Sequence, residues 1–219
     1  MTPSFSAWKA GLVYYLPALA AGAICLFFAF KGYRIAWAGA AVFLLPGLFA
    51  LFFFRDPPRT IKAAAGEIVS PADGTIVAIE DLKDTPYYAG PCRRISIFLS
   101  VFSCHVNRAP FAGTVRDIRY KKGQFKNAMK AETSECNESN AIWFDTDRGP
   151  MTVRQISGAI ARRIVCATAI GDALATGQKF GMIKFGSRTE LYLPPNTEIR
   201  VKIREKVRAG TSIVARFSK

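Results

Sequence analysis

Two long apolar stretches occupy the first quarter of the chain. Residues 12–30 and residues 35–54 contain no charged side chain, and a short polar turn at residues 31–34 separates them. Each stretch is about long enough to cross a hydrocarbon core of roughly 30 Å as an α-helix. No Asp or Glu occurs before Asp56, so neither helix has a polar face that could meet water. The pattern predicts a transmembrane or membrane-inserted helical hairpin over residues 1–56.

Two other structures for this segment stay open from the sequence. One is a hairpin buried inside a soluble domain. The other is a re-entrant or interfacial hairpin, which would suit Pro17 and Pro46 because they interrupt the two stretches. A cleavable signal peptide fits poorly, since it would show a single short apolar core followed by a small-residue cleavage site.

The rest of the chain, residues 57–219, alternates short strand-like segments with Gly, Pro, Asp and Asn turns. The segments that alternate, or that carry runs of β-branched residues, are 74–80, 93–99, 113–120, 141–145, 151–156, 180–185, 188–193, 198–204 and 212–217. Helices are expected at 127–131 and 157–167, although the second of these could also pair as a strand. The predicted fold is α+β and mostly β, with the hairpin followed by one β-rich domain.

Charge indicates what this domain binds. The formal net charge is +14, of which three charges belong to residues 1–54 and eleven to the remaining 165 residues. The basic residues are dispersed through strands, without a recognition helix or an RNA-binding aromatic motif, so nucleic acid is not the expected partner. Some of these charges can be ordinary solvated strand faces. A hairpin would nevertheless hold a positive domain against an anionic membrane, which is the partner we predict.

The basic residues that flank the hairpin predict its orientation. Lys9 precedes the first apolar stretch, and Arg55, Arg59 and Lys62 follow the second, against two basic residues in the turn. The positive-inside bias then places the β-rich domain on the cytoplasmic side of the cell's inner or plasma membrane. Five cysteines are scattered without metal-binding spacing, which favours a reducing compartment and predicts no metal site.

The most specific motif surrounds a Gly-Ser pair 33 residues from the C-terminus. Four further blocks precede it in the chain. Together the five blocks are Ser70-Pro71-Ala72-Asp73-Gly74, Phe98 to Pro110 with His105, Gly123-Gln124-Phe125 with Asn137-Glu138, Gln155 to Val165, and Gly181 to Pro194 with Gly186-Ser187. In this order and at this spacing they resemble the short form of the phosphatidylserine decarboxylase family, from about residue 60 to the end.

The resemblance implies a self-processing enzyme. The β-rich domain would be catalytic, and the bond between Gly186 and Ser187 would break itself by an attack of the serine on the glycine carbonyl. Ser187 would become a covalent pyruvoyl group, so that neither PLP nor a metal is needed. The product would be a heterodimer of the two fragments, with further oligomerisation left open. The implied reaction converts phosphatidylserine, or a related serine-headgroup lipid, into phosphatidylethanolamine and carbon dioxide.

The residues themselves indicate which side chains perform the acid–base chemistry. His105 is the only histidine in the chain, so any step that needs an imidazole must use it. A lone histidine is ordinarily a surface or satisfied core residue, but the block around it favours catalysis. Asp73, in a Pro-Ala-Asp-Gly turn, is the expected partner that orients His105, although a plain turn-forming Asp remains an alternative.

Two further residues are expected at the substrate. Longer members of the family carry a second histidine three positions after the first, and this chain has Arg108 there. Arg108 is predicted to bind the substrate carboxylate or phosphate, with a structural ion pair as the alternative. Glu138 is a second predicted substrate-binding residue, and Glu190 is an auxiliary candidate.

Two other functions compete with the decarboxylase. A membrane-bound serine hydrolase could use Ser187, His105 and Asp73, but the chain lacks a Gly-x-Ser-x-Gly elbow. A catalytically silent, basic lipid-binding module is the third hypothesis. A denaturing gel separates them, because only the decarboxylase must run as two fragments.

Overall fold

In a computed structural model of the protein, residues 5–129, 133–159, 163–184 and 186–218 are described. The chain divides into two compact units, one formed by residues 6–57 and one that holds residues 58–219.

The first unit is a pair of apolar helices, α1 (Ala7–Phe30) and α2 (Ala36–Phe53). The hydroxyl of Ser6 caps α1 by accepting a hydrogen bond from the N–H of Lys9 at 3.4 Å. Pro17 and Pro46, which the sequence suggested as interruptions, lie inside continuous helices. Both helices are long and apolar enough to cross a membrane. The predicted apolar hairpin is therefore confirmed.

Glycines let the two helices approach closely. A Cβ added at Gly22 would lie 2.4 Å from Cδ2 of Leu44, and one added at Gly47 would lie 3.1 Å from Cδ2 of Leu19. Large apolar side chains such as Phe30 point outward and are exposed. Small residues at the helix contact and large ones outside are the arrangement expected of helices in lipid.

The second unit is mostly β-sheet. Its strands are β1 (Glu67–Val69), β2 (Gly74–Leu82), β3 (Cys92–Leu99), β4 (Val106–Arg108), β5 (Gly113–Lys121), β6 (Ser139–Thr146), β7 (Gly149–Ser157), β8 (Arg163–Cys166), β9 (Ala173–Leu174), β10 (Lys179–Lys184), β11 (Ser187–Leu193), β12 (Glu198–Ile199), β13 (Lys206–Val207) and β14 (Ile213–Arg216). One short helix, α3 (Thr133–Cys136), is described between β5 and β6. The predicted α+β, mostly β, fold is confirmed.

The strands form three antiparallel sheets. The largest has eight strands in the order β13-β2-β3-β11-β7-β6-β5-β9, and two smaller sheets have the orders β1-β14-β12 and β4-β10-β8. The central strand of the large sheet, β11, pairs with β3 on one side and with β7 on the other. The C-terminal 33 residues thus contribute strands to the large sheet and to one of the smaller ones.

Three local predictions differ from the structure. Residues 127–129 form a turn rather than a helix, because the side chain of Asn127 accepts the N–H of Met129 and competes with helical bonding. Residues 163–166 of the second predicted helix are strand β8, the alternative that the sequence left open. The strand predicted over 198–204 is confined to β12. Residues 130–131, 160–162 and 185, which also belong to predicted elements, lie outside the described residues.

The two faces of β11 differ in chemistry, although all seven of its residues are buried. Ser187, Thr189, Leu191 and Leu193 share one face, because side chains alternate along a strand. Leu191 and Leu193 belong there to the apolar core of the domain. The other face carries Arg188, Glu190 and Tyr192.

The charged face of β11 is built around Glu190. One carboxylate oxygen of Glu190 lies 3.3 Å from Arg154 and accepts the Tyr192 hydroxyl at 2.6 Å, and the other lies 3.2 Å from Arg188. Burial lowers the pKa of the Arg188 guanidinium, and Glu190 opposes that shift. Burial raises the pKa of the Tyr192 phenol, with Glu190 as the second cause. Glu190 therefore balances buried charge, on the face opposite to Ser187.

Replacing Glu190 should destabilise the domain strongly. Glu190→Gln keeps the shape of the side chain but leaves Arg154 and Arg188 buried without their counter-charge. We expect the free energy of unfolding to fall by about 3–5 kcal/mol, measured by denaturant titration in detergent. The control is Glu198→Gln, which breaks an exposed pair with Arg200 and should cost less than about 1 kcal/mol. Equal, small losses in both variants would contradict this assignment.

Candidate active site

Ser187 is the first residue of β11, directly after a glycine in an unusual conformation. Gly186 has φ = +73°, a left-handed value that favours glycine because it has no Cβ. Ser187 is fully buried, and its Oγ has no hydrogen-bond partner among the described residues. An unpaired buried hydroxyl is unfavourable. A Gly-Ser peptide bond is therefore held at a turn, with a serine hydroxyl that nothing in the described chain satisfies.

His105 lies against this peptide bond and is fully buried. The N–H of Gly186 donates to His105 Nε2 at 3.2 Å, and His105 Nδ1 lies 2.9 Å from the carbonyl oxygen of Ser103. A backbone N–H can only donate and a carbonyl oxygen can only accept. These two contacts therefore assign a neutral imidazole, with its proton on Nδ1 and its lone pair on Nε2 facing Gly186.

The backbone around His105 explains this position. The preceding loop, residues 100–104, is closed by a hydrogen bond from the N–H of Ser103 to the carbonyl of Ser100 at 2.9 Å. After the loop, β4 pairs with β10, the strand that leads toward Gly186. The N–H of Ile183 also reaches the carbonyl of His105 at 3.4 Å. The turn and the strand pairing together bring an imidazole and a Gly-Ser bond into contact across 81 positions of the chain.

Gly158 packs directly against the same bond. Ser157, the last residue of β7, pairs with Ser187, so Gly158 follows at the level of Gly186. A Cβ added at Gly158 would lie 2.5 Å from the carbonyl oxygen of Gly186, closer than real Cβ atoms approach. Gly158 lies within the block from Gln155 to Val165, but the sequence indicated no role for it. A glycine directly after a strand is the signal that could have marked a close backbone approach.

A buried chain of amides continues behind Ser187. Asn107 donates to the Thr189 hydroxyl at 3.3 Å, Gln155 donates to Asn107 at 2.9 Å, and Asn140 donates to Gln155 at 3.0 Å. Thr189 is on the same face of β11 as Ser187. These bonds join β4, β6, β7 and β11, and they fix the strand on which Ser187 lies. The sequence gave no signal for them beyond the polar residues inside otherwise apolar strands.

Asp73 is bound elsewhere than expected. One of its carboxylate oxygens lies 2.8 Å from the guanidinium of Arg59, and the other accepts the N–H of Ala209 at 2.7 Å. These contacts tie the Pro-Ala-Asp-Gly turn to the turn before β14. His105 Nδ1 bonds the carbonyl oxygen of Ser103, and this contact supplies the orienting bond that the sequence expected from Asp73.

Arg108 and Glu138 also have identified neighbours. Arg108 is buried and donates to the carbonyl of Gly177 at 2.9 Å. Because Asn107 faces Thr189, the alternation along β4 directs Arg108 to the other side of that strand. The carbonyl of Glu138 accepts the N–H of Ser157 at 2.9 Å, so its backbone borders the end of β7. Desolvation, and then the Glu138 carboxylate, raise the pKa of Tyr120.

A buried lysine, which the sequence did not single out, ends β10 two residues before Gly186. Burial lowers the pKa of Lys184, and the neighbouring Arg163 adds to that effect. Within the described part of the chain, no group of three or more His, Cys, Asp or Glu residues is arranged to hold a metal ion. The chemistry that the described side chains offer at this bond is thus a serine hydroxyl and a neutral imidazole.

Comparison with known proteins gives a consistent result. A family model described as phosphatidylserine decarboxylase matches residues 47–215. A protein from Nitrosomonas europaea is 45% identical over 186 residues, which cover 84% of this chain and 86% of that protein. One from Carboxydothermus hydrogenoformans is 46% identical over 182 residues, 83% of this chain and 85% of that protein. One from Solibacter usitatus is 42% identical over 208 residues, 93% and 94% of the two chains. All three are named phosphatidylserine decarboxylase proenzyme.

The contact between Gly158 and the Gly186 carbonyl yields a test. Gly158→Ala would place a methyl carbon 2.5 Å from the Gly186 carbonyl oxygen, so the two backbone segments must shift apart and disturb the placement of the Gly186–Ser187 bond beside His105. We expect any self-cleavage at this bond to slow by about 10²-fold, followed on denaturing gels after synthesis at a fixed temperature.

The control for this test is Ala159→Ser, at the adjacent exposed position. Thermal unfolding of each variant separates a misplaced bond from a misfolded domain. A stable Gly158→Ala protein that is cut as fast as wild type would contradict the proposed packing constraint.

Proposed function

Because the chain belongs to the phosphatidylserine decarboxylase family, we propose that it cuts its own Gly186–Ser187 bond, converts Ser187 into a pyruvoyl group and then decarboxylates phosphatidylserine. The chain is a decarboxylase, and the name proenzyme that its relatives carry agrees with a processed precursor. The observation that carries the proposal is the 3.2 Å contact between the Gly186 N–H and His105 Nε2, beside a buried Ser187.

Self-cleavage starts with the serine hydroxyl. Ser187 Oγ attacks the carbonyl carbon of Gly186 and its proton passes to His105 Nε2, the imidazole nitrogen with the lone pair. The C–N bond breaks, the nitrogen takes a proton, and Gly186 becomes esterified to the Ser187 oxygen. The left-handed backbone at Gly186 and the absence of a side chain leave the carbonyl open to this attack.

Elimination and hydrolysis complete the conversion. A base removes the Cα proton of residue 187, and the Gly186 carboxylate leaves as the Cβ–O bond breaks. One fragment then ends in a carboxylate at Gly186, and the other begins with dehydroalanine. One water molecule replaces the nitrogen, ammonia is released, and a pyruvoyl group caps the 33-residue fragment.

The site suits this group. Conversion removes the Ser187 hydroxyl, a buried polar group that has no partner among the described residues. Once formed, the pyruvoyl group supplies a ketone that condenses with a primary amine and takes up the electron pair released with carbon dioxide. His105, whose Nε2 lies 3.2 Å from the Gly186 nitrogen, is the residue that we propose returns a proton to the substrate α-carbon. Neither PLP nor a metal enters this scheme.

The two fragments are expected to stay together as a heterodimer. The C-terminal fragment contains β11, which pairs with β3 and β7 of the other fragment. It also contains β13, paired with β2, and β14, paired with β1. Separation would break all of these ladders and expose the core, so the cut leaves the fold intact.

The substrate follows from the chemistry of the site. Decarboxylation through a ketone needs a primary amine with a carboxylate on the same carbon, which a serine headgroup provides. We propose phosphatidylserine as the lipid, with a related serine-headgroup lipid as a close variant, and phosphatidylethanolamine as the product. The roles predicted for Asp73 in processing, and for Arg108 and Glu138 in substrate binding, remain proposals.

The location of the enzyme is part of the proposal. Two apolar helices and a net charge of +14 support attachment to an anionic membrane. The basic residues that flank the hairpin support a cytoplasmic catalytic domain, on the inner or plasma membrane.

Decarboxylation is tested with phosphatidylserine labelled in its carboxyl group. Purified wild-type protein in detergent micelles should release labelled carbon dioxide and form phosphatidylethanolamine, whereas uncut Ser187→Ala should release none. Hydroxylamine should inactivate the wild-type enzyme by capturing its ketone. Hydrolysis of an unrelated ester by an uncut chain, without carbon dioxide release, would instead support a serine hydrolase.

Membrane attachment should resist salt. Salt screens charge attraction but does not reverse the insertion of apolar helices. We expect the full-length protein to stay in the membrane fraction in about 1 M salt, where the Debye length is about 3 Å, and to leave it only with detergent. Recovery of the protein in the soluble fraction without detergent would refute an inserted hairpin.

A further inference from the structure

Two surface loops border the Gly186–Ser187 bond. They are residues 100–104, before His105, and residues 123–129, after β5. A Cβ at Gly186 would lie 3.6 Å from Cγ1 of Val101, in the first loop. Gly158, which touches the Gly186 carbonyl, lies against Ala128 of the second loop. A Cβ added at Gly158 would lie 3.4 Å from the Cβ of Ala128. Gly186 is half-buried whereas Ser187 is buried, so the bond is more accessible to solvent at Gly186, the residue that Val101 of the first loop and Gly158 contact.

Both loops present large apolar side chains to solvent. Phe102 in the first loop is 67% exposed, and Phe125 and Met129 in the second loop are 41% and 56% exposed. Single exposed apolar residues are ordinary on protein surfaces. We call these three side chains the apolar patch, because the two loops that carry them both contact the backbone around Gly186. Exposed apolar surface beside a site is a mark of an interaction surface.

Lysines accompany the patch. Lys121, Lys122 and Lys126 are exposed, the first two at the end of β5 and the third within the second loop. Asn137 holds this loop in place by bonding the N–H and the carbonyl of Lys126 at 2.9 and 2.8 Å, and the carbonyl of Ser157 at 2.8 Å. The loop is thereby fastened to the end of β7, next to Ser187.

We propose that loops 100–104 and 123–129 form a second membrane-contact surface, separate from the apolar hairpin, which seats the mouth of the active site on an anionic bilayer. Apolar side chains at the level of the acyl-chain boundary, with lysines at the headgroups, are the composition of an interfacial membrane contact. The inference rests on the proposed function, because it explains how a diacyl lipid reaches Ser187.

The physical advantage concerns the acyl chains. Lifting a diacyl lipid into water would expose two long hydrocarbon chains, which the hydrophobic effect opposes for every CH₂ group. If the two loops contact the bilayer, the serine headgroup can enter the active site between them while the acyl chains remain in the membrane. Arrival of the substrate then depends on Phe102 and Met129 as well as on the site itself.

The test measures decarboxylation by the full-length chain on two substrates. One is phosphatidylserine in the bilayer of a nanodisc, and the other is a short-chain phosphatidylserine below its micellar concentration. For Phe102→Ser/Met129→Ser, the ratio of kcat/KM in nanodiscs to kcat/KM on the monomeric lipid should fall about three- to ten-fold. Gels check that each variant is cut to the same extent.

The matched control is Ile170→Ser. Ile170 is 62% exposed, but it precedes Gly171, whose N–H bonds the carbonyl of Val115 near the start of β5. The second loop follows the other end of that strand. The ratio should be unchanged in this control, and an equally unchanged ratio in the double variant would overturn the proposal.

A second measurement does not depend on activity. Phe102→Trp is made in a Trp8→Phe/Trp37→Phe background, which leaves Trp143, a buried residue, as the other tryptophan. The control is Ile170→Trp in the same background. Lipids brominated in the acyl chain should quench the tryptophan fluorescence of the Phe102→Trp protein but not that of the Ile170→Trp protein. If wild type releases no carbon dioxide from either lipid, the proposed function fails and quenching alone decides the membrane contact. Absence of quenching at 102 would overturn the contact, whatever the activity.

Discussion

The register of β11 is the constraint on which the site depends. Ser187 pairs with Leu99 on one side and with Ser157 on the other, so its position along the sheet is fixed twice. A slip by one residue would exchange the two faces of the strand. The turn at Gly186 can then hold the Gly-Ser bond against His105 without drifting. The serine hydroxyl and the glycine carbonyl are already adjacent in the chain, and the strand pairing brings the imidazole of His105 to them.

The buried charges on the other face of β11 serve the same constraint. Burying Arg154, Arg188 and Glu190 together is not an efficient way to stabilise a domain, because their desolvation offsets most of their attraction. The two faces of β11 are nevertheless so different, one apolar around Leu191 and the other ionic around Glu190, that only one register satisfies both. We interpret the ionic cluster as a feature that fixes the register of β11, the strand that begins with Ser187. In the processing that we propose, the same pairing would keep the two fragments joined after the cut.

Hydrophobic periodicity, a local feature of the chain, predicted the hairpin and the β-rich domain. The family resemblance, together with the presence of a single histidine, implied that His105 acts at Ser187. The sequence did not predict Gly158 beside the Gly186 carbonyl or the amide chain from Asn107, since both arise from pairings between distant strands. Nor did it foresee that the Asp73 carboxylate would bond Arg59 and the Ala209 N–H. A turn motif identifies an aspartate, but only the packed fold decides which side chain meets it.

The central claim is that Ser187, held beside His105, becomes the N-terminal ketone of its own fragment. The most direct measurement is the intact mass of the purified wild-type protein without added protease. The account predicts two species: residues 1–186 ending in a free carboxylate, and a 33-residue fragment one ammonia lighter than the same peptide with an N-terminal serine. A single full-length species from a preparation that decarboxylates phosphatidylserine, or a C-terminal fragment that keeps its amino group, would contradict it.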